Sequence, residues 1–253
     1  MSGGLPVLVW TMRVGGLDEA AVAAWLELLD DAERRRAARF AFARHRIEFI
    51  AAHALLRVAL ASELGAPPRA WDFVPGAHGK PVAWVGGAPA PLSFNLSHTA
   101  GMVGLAAAAV PGREIGFDLE NLGRKVDLKV ADRYFTPPEV AWIAALPEPE
   151  RSRGFLRLWT LKEAFIKATG KGLTQNLASF WFAPMPPRIH FSPELGEDSA
   201  DWRFEQRVLD GAFIGALGVR HRGPIAVRWI AIDPARLGGD GLCAAAAAAR
   251  DLG

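Results

Sequence analysis

The chain has 253 residues, of which 51% are hydrophobic and 22% charged, so it can bury a sizeable core and is not a disordered polymer. A formal net charge of +2 is too small to indicate nucleic-acid binding, and a single cysteine, Cys243, excludes an internal disulfide framework and a cysteine-cluster metal site. No apolar run is long enough to span a bilayer, and no charged region precedes the first apolar stretch, so we expect a cytoplasmic protein that binds neither membrane nor nucleic acid.

The first half of the chain predicts one strand, two helical stretches and a group of short strands. Residues 6–12 predict the first strand, and helical periodicity follows at 18–29 and 31–64, where the longer stretch ends at Gly65 before two prolines. Short apolar runs separated by glycine and proline predict further strands at 71–74, 81–85, 92–96 and 102–109.

The second half repeats this outline. A strand at 114–120 precedes helical stretches at 136–145 and 149–169, and strands are predicted near 178–183, 201–209, 213–220 and 225–232. Thr136 and Glu139 have the spacing of a capping box, with proline at the first helical position. The repeated outline favours two similar α+β lobes over alternating βαβ units, at 1–112 and 113–253, the second with an Ala-rich tail.

The predicted strand at 114–120 carries two carboxylates on one face. Because side chains alternate along a strand, Asp118 and Glu120 point away from the apolar stripe of their neighbours. The pattern is typical of a solvated amphipathic strand, but two such carboxylates can also converge on one hard cation of the magnesium type. The residues alone leave both interpretations open.

The stretch from Trp159 to Gly170 concentrates charge at a helix. Thr160 and Glu163 have capping-box spacing, and Glu163 with Lys167 forms a favourable i,i+4 pair, which gives both residues a purely structural role. Alternatively, Glu163 completes a three-carboxylate metal site while Lys162 and Lys167 meet phosphate oxygens.

A third motif pairs Gly79-Lys80-Pro81 with Phe94-Asn-Leu-Ser-His-Thr99. Adjacent residues of a strand point apart, so Ser97 and His98 are poorly placed as nucleophile and base, and no Gly-x-Ser-x-Gly elbow surrounds Ser97. Anion binding by these two side chains is the better functional interpretation, and a hydrogen-bonded turn is the structural alternative.

In combination and order, these stretches resemble the 4′-phosphopantetheinyl transferase superfamily, in particular its larger two-lobed class that activates peptide and polyketide synthases. The matching stretches are Gly-Lys-Pro at 79–81, Phe-Asn-Leu-Ser-His-Thr at 94–99, Ile-Gly-Phe-Asp-Leu-Glu at 115–120, Trp-Thr-Leu-Lys-Glu-Ala-Phe-Ile-Lys at 159–167 and Gly-Lys-Gly-Leu at 170–173. The resemblance implies pseudo-symmetric monomers in which each lobe is a small antiparallel sheet packed against helices, with the active site at the lobe junction.

The resemblance also implies residue roles. Asp118, Glu120 and Glu163 would bind Mg²⁺ at the pyrophosphate of coenzyme A, with Glu163 helping to deprotonate the serine of an apo acyl or peptidyl carrier protein. Lys162 would stabilise the leaving adenosine 3′,5′-bisphosphate, and Lys167 would hold the pyrophosphate. The residues expected at the 3′-phosphate and its surroundings are Lys80, Ser97, His98, Arg36 and Arg46. His45 departs from the family pattern, because many members have an acidic residue directly before the arginine that corresponds to Arg46.

Two rival functions share some of these features. A metal-dependent nuclease also uses clustered carboxylates and a lysine, but it calls for a broader basic surface and a Glu-x-Lys spacing that is absent around Asp118. A non-catalytic module for coenzyme A or carriers would be free to lose a metal carboxylate, whereas all three candidates are present. Segment 122–135 is predicted to form part of the carrier-docking surface.

Overall fold

A computed structural model describes residues 3–17, 19–76 and 79–237; the Ala-rich tail and Cys243 lie outside this range. The helices are α1 (Glu19–Leu26), α2 (Asp31–Ala37), α3 (Ala43–Leu64), α4 (Ala131–Tyr134), α5 (Pro137–Ala145) and α6 (Glu148–Thr169). The strands are β1 (Leu5–Arg13), β2 (Trp71–Pro75), β3 (Pro81–Val85), β4 (Ala88–Pro89), β5 (Ser93–Thr99), β6 (Met102–Ala108), β7 (Ile115–Asn121), β8 (Phe180–Pro184), β9 (Pro187–Phe191), β10 (Trp202–Leu209), β11 (Phe213–Arg220) and β12 (Ile225–Ile232).

The N-terminal lobe is built on a sheet with strand order β12-β1-β6-β5. Strands β1, β6 and β5 are antiparallel neighbours, and α3 packs its apolar face on them through residues such as Leu55 and Leu60, both fully buried with Trp10. Helix α3 ends at Gly65, whose φ of 75° is a left-handed conformation that favours glycine.

The C-terminal lobe repeats the design with strand order β10-β11-β7, all antiparallel, and with α6 packed on the sheet. Helix α6 ends at Gly170, with a φ of 71°. The other faces of the two sheets meet in a shared apolar layer that includes Val9, Phe117 and Leu217, all fully buried. The predicted fold class, two similar α+β lobes, is confirmed, and in the described residues no helix is long and apolar enough to cross a membrane.

Three predictions of local structure differ from the structure. The helical stretch 31–64 is two helices, because the chain turns between Ala37 and Ala43 without a glycine or proline to signal the break. Thr160 is not a helix cap; it lies inside α6, where its hydroxyl donates to Leu156 O and Arg157 O at 3.0 and 3.1 Å. The division at residue 112 also does not separate the sheets, because β12 pairs in parallel with β1 of the first lobe.

The capping box that begins α5 is confirmed. The Thr136 N–H donates to Glu139 Oε2 at 2.8 Å, and the Thr136 hydroxyl donates to the same oxygen at 2.9 Å. The box satisfies donors that an uncapped helix start would leave without partners.

Candidate active site

Strand β7 and helix α6 form the wall of a cleft at the lobe junction. They approach closely at Gly116, where a Cβ atom would stand 1.9 Å from Ala164 O, so only glycine allows this packing. Two residues further along β7, Asp118 faces α6, and Glu120 follows on the same side of the strand. One helical turn apart on α6, Glu163 and Lys167 point to the same region.

These side chains line a single cleft of about 660 Å³. It is bordered by His98 and Thr99 of β5, Asp118, Leu119 and Glu120 of β7, Arg124, Tyr134, and Trp159, Glu163 and Lys167 of α6. The structure therefore brings together five of the predicted site residues: Asp118, Glu120, Glu163, Lys167 and His98.

Two cations contact the carboxylates of the cleft. Lys167 Nζ donates to Asp118 Oδ1 at 2.7 Å, and the Arg124 guanidinium donates to Glu120 Oε1. The second oxygen of Asp118, Oδ2, is buried and has no hydrogen-bond partner among the residues that the structure describes. A buried carboxylate oxygen without a partner is costly, so the site retains an unmet demand for a donor or a cation.

The pKa shifts of the cleft carboxylates also favour a cation. Burial raises the pKa of Glu120 to about 7 against the opposing charge of Arg124, and the carboxylates of Asp118 and Glu163 contribute to the rise. Burial and repulsion from Asp118 also raise the pKa of Glu163, while Lys167 opposes the change. Three acidic groups that repel one another in one partly desolvated cleft favour a positively charged ligand.

His98, on β5, lies on the side of the cleft that the N-terminal lobe forms. Desolvation lowers the pKa of His98, Glu48 opposes the shift, and the positive charge of Lys167 adds to it. His53 and His45 of α3 add smaller effects of the same sign, so α3 stands near His98. The basic side chains near this side of the cleft, Lys167, His53 and His45, outnumber the carboxylate of Glu48, which suits this side to an anion.

Lys162 is not brought to the cleft. Its side chain is fully buried, and its ammonium lies 3.0 Å from Glu139 Oε2 and donates to Leu177 O and Phe180 O at 2.9 Å each. Because all three hydrogens of the ammonium are committed to the protein interior, Lys162 cannot reach a phosphate, and the predicted catalytic role does not fit this position.

Lys80 and Ser97 are also placed differently from the prediction. Lys80 Nζ donates to Ile115 O at 2.6 Å and to Ala168 O at 3.3 Å, and it lines a separate cavity of about 310 Å³ behind β7. Ser97 is 3% exposed and does not line the cleft. Both side chains are hydrogen-bonded to main-chain groups of β7.

The two predicted arginines lie on the N-terminal lobe outside the cleft. Arg36 is exposed, stands 5.2 Å from the ring centre of Phe49, and lines a pocket of about 390 Å³ with His53. Arg46 is exposed and lines a groove between α1 and α3. The structure does not bring either to the carboxylates.

Among the cleft residues to which the sequence assigned no role are Arg124, Tyr134 and Trp159. Arg124 follows Glu120 by four residues, and this spacing between opposite charges was the one available signal. Tyr134 and Trp159 form an edge-to-face pair, with ring centres 5.3 Å apart, on the rim. Their aromatic character alone did not distinguish them from core residues.

As the side chains stand in the described part of the chain, no three carboxylate, imidazole or thiol groups are arranged to hold one metal ion. In this arrangement Lys167 contacts one oxygen of Asp118, and Arg124 contacts one oxygen of Glu120.

Two family models match the chain. One, described as the 4′-phosphopantetheinyl transferase superfamily, matches residues 114–216, and one described as 4′-phosphopantetheinyl transferase, N-terminal, matches residues 18–110. The 4′-phosphopantetheinyl transferase HetI of Nostoc sp. is 40% identical over 193 residues, 76% of this chain and 78% of that protein.

Two more distant relatives extend the comparison. The L-aminoadipate-semialdehyde dehydrogenase-phosphopantetheinyl transferase of Xenopus laevis is 30% identical over 202 residues, 70% of this chain and 64% of that protein. The 4′-phosphopantetheinyl transferase Sfp of Bacillus subtilis is 37% identical over 87 residues, 34% of this chain and 37% of that protein.

Proposed function

Because this chain belongs to the 4′-phosphopantetheinyl transferase superfamily, it transfers phosphopantetheine from coenzyme A to carrier proteins, and we propose that the cleft between its lobes is the active site. The observation that carries the proposal is the convergence of Asp118, Glu120 and Glu163 with Lys167 and His98 in one cleft. The carboxylates suit a cation, and the basic groups suit the phosphates of coenzyme A.

Mg²⁺ fits the carboxylate side of this cleft. The partnerless Asp118 Oδ2 and the raised pKa values of Glu120 and Glu163 support a divalent cation held by these three residues. When bound, such an ion would neutralise charge on the pyrophosphate of coenzyme A. The oxygen ligands are those that magnesium prefers.

The chain's own residues would perform the remaining work. The hydroxyl of the carrier serine attacks the β-phosphorus of coenzyme A, and adenosine 3′,5′-bisphosphate leaves. Glu163 accepts the hydroxyl proton, because a carboxylate whose pKa is raised is a better proton acceptor. Lys167 holds the pyrophosphate through its ammonium, and His98 binds the 3′-phosphate. Arg36 and Arg46 supply positive potential on the approach to His98.

We further propose that a single chain is the active unit and that segment 122–135 contacts the carrier. This segment contains Arg124 and Tyr134, which border the cleft, so a carrier placed there would present its serine to Glu163. Carriers of polyketide and nonribosomal peptide synthases are the proposed partners. Size-exclusion chromatography with light scattering tests the monomer, and a panel of apo carriers in competition tests the partner.

The decisive experiment combines the chain with coenzyme A, Mg²⁺ and an apo carrier protein, and follows the carrier by intact mass spectrometry. We expect the mass of one phosphopantetheine to be added at the carrier serine, and the addition to disappear with EDTA and return with excess Mg²⁺. Transfer that persists in EDTA would remove the metal from the proposal while leaving the transferase activity in place.

A further inference from the structure

Strand β7, which carries the cleft carboxylates, has one edge to which no strand of the described residues is hydrogen-bonded. It pairs with β11 on one side only, whereas β1, the corresponding strand of the other lobe, has β6 on one side and β12 on the other. Main-chain groups at an open, buried edge must find partners elsewhere, because an unsatisfied buried peptide group is costly.

Side chains of the N-terminal lobe provide those partners. Ile115 O accepts from Lys80 Nζ at 2.6 Å, Phe117 N–H donates to Asn95 Oδ1 at 2.8 Å, and Leu119 N–H donates to Ser97 Oγ at 3.1 Å. The β7 residues are spaced by two, so their peptide groups face the same edge, and Asn95 and Ser97 are likewise spaced by two on β5. We call Lys80, Asn95 and Ser97 the junction side chains.

Ser97 differs from the other two because its hydroxyl also touches the active site. It accepts from Lys167 Nζ at 3.0 Å as well as from Leu119 N–H, and it donates to Asp118 Oδ1 at 3.2 Å. A serine hydroxyl has one hydrogen and two lone pairs, so its bonding capacity is fully used.

We propose that Ser97 is a positioning residue, which fixes Lys167 and Asp118 relative to each other by tying both to the edge of the opposite lobe. The inference rests on the proposed function of the cleft. It assigns Ser97 to the arrangement of the pyrophosphate end of the site, where it acts through Lys167, and not to direct contact with the 3′-phosphate. Packing of the two lobes thereby sets the geometry of the site.

A matched pair of variants tests this role. Ser97→Ala and Asn95→Ala each remove one acceptor from the β7 edge, but only Ser97 contacts Lys167 and Asp118. Asn95→Ala should lower the melting temperature by roughly 2–8 °C for the loss of one buried hydrogen bond, and Ser97→Ala by at least as much, because its hydroxyl makes three.

The two variants should differ in ligand binding, measured by calorimetry, and in turnover. Ser97→Ala should weaken binding of coenzyme A and of dephospho-coenzyme A by the same factor, roughly three- to tenfold, and lower kcat/KM about tenfold. Asn95→Ala should leave both quantities within about twofold of the parent. Equal effects of the two variants on binding would overturn the proposal, and so would a loss confined to coenzyme A, which would make Ser97 a direct ligand of the 3′-phosphate.

An isosteric pair keeps the test decisive if Ser97→Ala fails to fold. Ser97→Thr retains the hydroxyl and Ser97→Val replaces it with a methyl group of similar shape, so only the threonine should preserve binding of both nucleotides. If Ser97→Val preserves binding as well as Ser97→Thr does, the hydroxyl is not the determinant and the proposal fails. A parent protein that binds coenzyme A but transfers nothing would refute the proposed function, while the binding comparison would still decide the role of Ser97.

Discussion

The two lobes bury one cation each at the same place in the same framework. Arg57 lies eight residues before Gly65 in α3, and Lys162 lies eight residues before Gly170 in α6; both side chains are fully buried. Each binds the acid that closes the capping box of the preceding helix, Arg57 to Glu33 at 2.9 Å and Lys162 to Glu139 at 3.0 Å.

The hydrogen bonds of the two cations to main-chain carbonyls correspond as well. Arg57 donates to the carbonyls of Pro68 and Trp71, and Lys162 donates to those of Leu177 and Phe180. In both lobes the first acceptor begins a 3₁₀ turn and the second begins the next strand. This correspondence shows that Lys162 belongs to a framework present in both lobes, and it is direct structural support for an internal duplication.

The lobes differ where the proposed chemistry lies. Thr11 pairs with Gly104 in one sheet and Leu119 pairs with Gly215 in the other, which aligns β1 with β7. The positions that hold Asp118 and Glu120 in β7 are therefore Trp10 and Met12 in β1, both 1% exposed.

The same contrast holds on the long helices. The residue that follows the buried cation is Val58 in α3 and Glu163 in α6, and the position four residues further is Ser62 in α3 and Lys167 in α6. In the N-terminal lobe the aligned positions on β1 and α3 carry apolar residues and one serine. In the C-terminal lobe they carry the charged residues of the proposed active site. The two lobes therefore share a framework and differ in the side chains placed on it.

The largest effect is expected from Glu163→Gln. Gln keeps the shape but not the charge, so proton acceptance and cation binding should fail together and transfer should fall by about 10²–10⁴-fold, with a melting temperature near the parent value. Ser62→Ala, at the N-terminal counterpart of Lys167, is the matched control and should leave transfer unchanged. Transfer rates and melting temperatures are measured for both variants. An active Glu163→Gln would contradict the assignment of the proposed chemistry to the charged positions of the C-terminal lobe.

The two buried cations, Arg57 and Lys162, should contribute about equally to the stability of the folded protein. Arg57→Met and Lys162→Met each strand a buried carboxylate, which costs about 3–5 kcal/mol, measured as the free energy of unfolding in urea. Per folded molecule, Lys162→Met should retain transfer, because the ammonium is remote from the cleft. A stable but inactive Lys162→Met would restore the catalytic role that we withdraw.

His98→Ala tests whether this cleft residue binds the 3′-phosphate of coenzyme A. Losing a charge-assisted contact worth about 1.5–3 kcal/mol should raise the KM for coenzyme A roughly ten- to a hundredfold and leave dephospho-coenzyme A, which lacks the 3′-phosphate, nearly unaffected. Lys80→Met is the control, since its ammonium contacts the protein and should not discriminate between the two substrates. Equal losses for both substrates in His98→Ala would place this histidine away from the 3′-phosphate.

The smallest effect concerns pH. Burial lowers the pKa of Lys80 to about 8, against the opposing charge of Glu114, whereas the unfolded chain has the ordinary lysine value of 10.5. Between these values the unfolded state binds the proton and the folded state does not, so this group makes the protein more stable as pH rises from 8 to 10.5. The unfolding free energy of the parent minus that of Lys80→Met should rise by roughly 1–3 kcal/mol across the window. If urea titrations show that this difference in unfolding free energy does not change with pH, the lowered pKa of Lys80 is contradicted.

Local signals in the sequence predicted much of the framework. The glycine ends of the long helices, the Thr136 capping box and the alternation around Asp118 each depend on a few neighbouring residues, and the two-lobe outline follows from their repetition. The convergence of Asp118, Glu120 and Glu163 was predicted through the family resemblance, because β7 and α6 are too far apart in sequence for spacing alone to place them together.

The remaining features depend on long-range contacts. Nothing local distinguishes Lys162, which is buried with Glu139, from Lys167, which reaches the cleft, since both are lysines in one charged helix. The roles of Lys80 and Ser97 at the β7 edge require knowledge of which strand lies beside them. Thr160 was assigned to a cap by a spacing rule, but its hydroxyl is bonded inside α6 and accepts from Gln206 Nε2 at 2.9 Å.

The pairing of β12 with β1 has a consequence for biosynthesis. A ribosome delivers the chain from its amino end, so β1 emerges more than two hundred residues before the strand that completes its sheet at Leu5–Ile225 through Met12–Ile232. During that interval the nascent first lobe presents an open strand edge, which is the feature that promotes association between incomplete chains. Release of the last strand from the exit tunnel is therefore the step that closes the first sheet, and recombinant truncations before residue 225 would leave that edge permanently exposed.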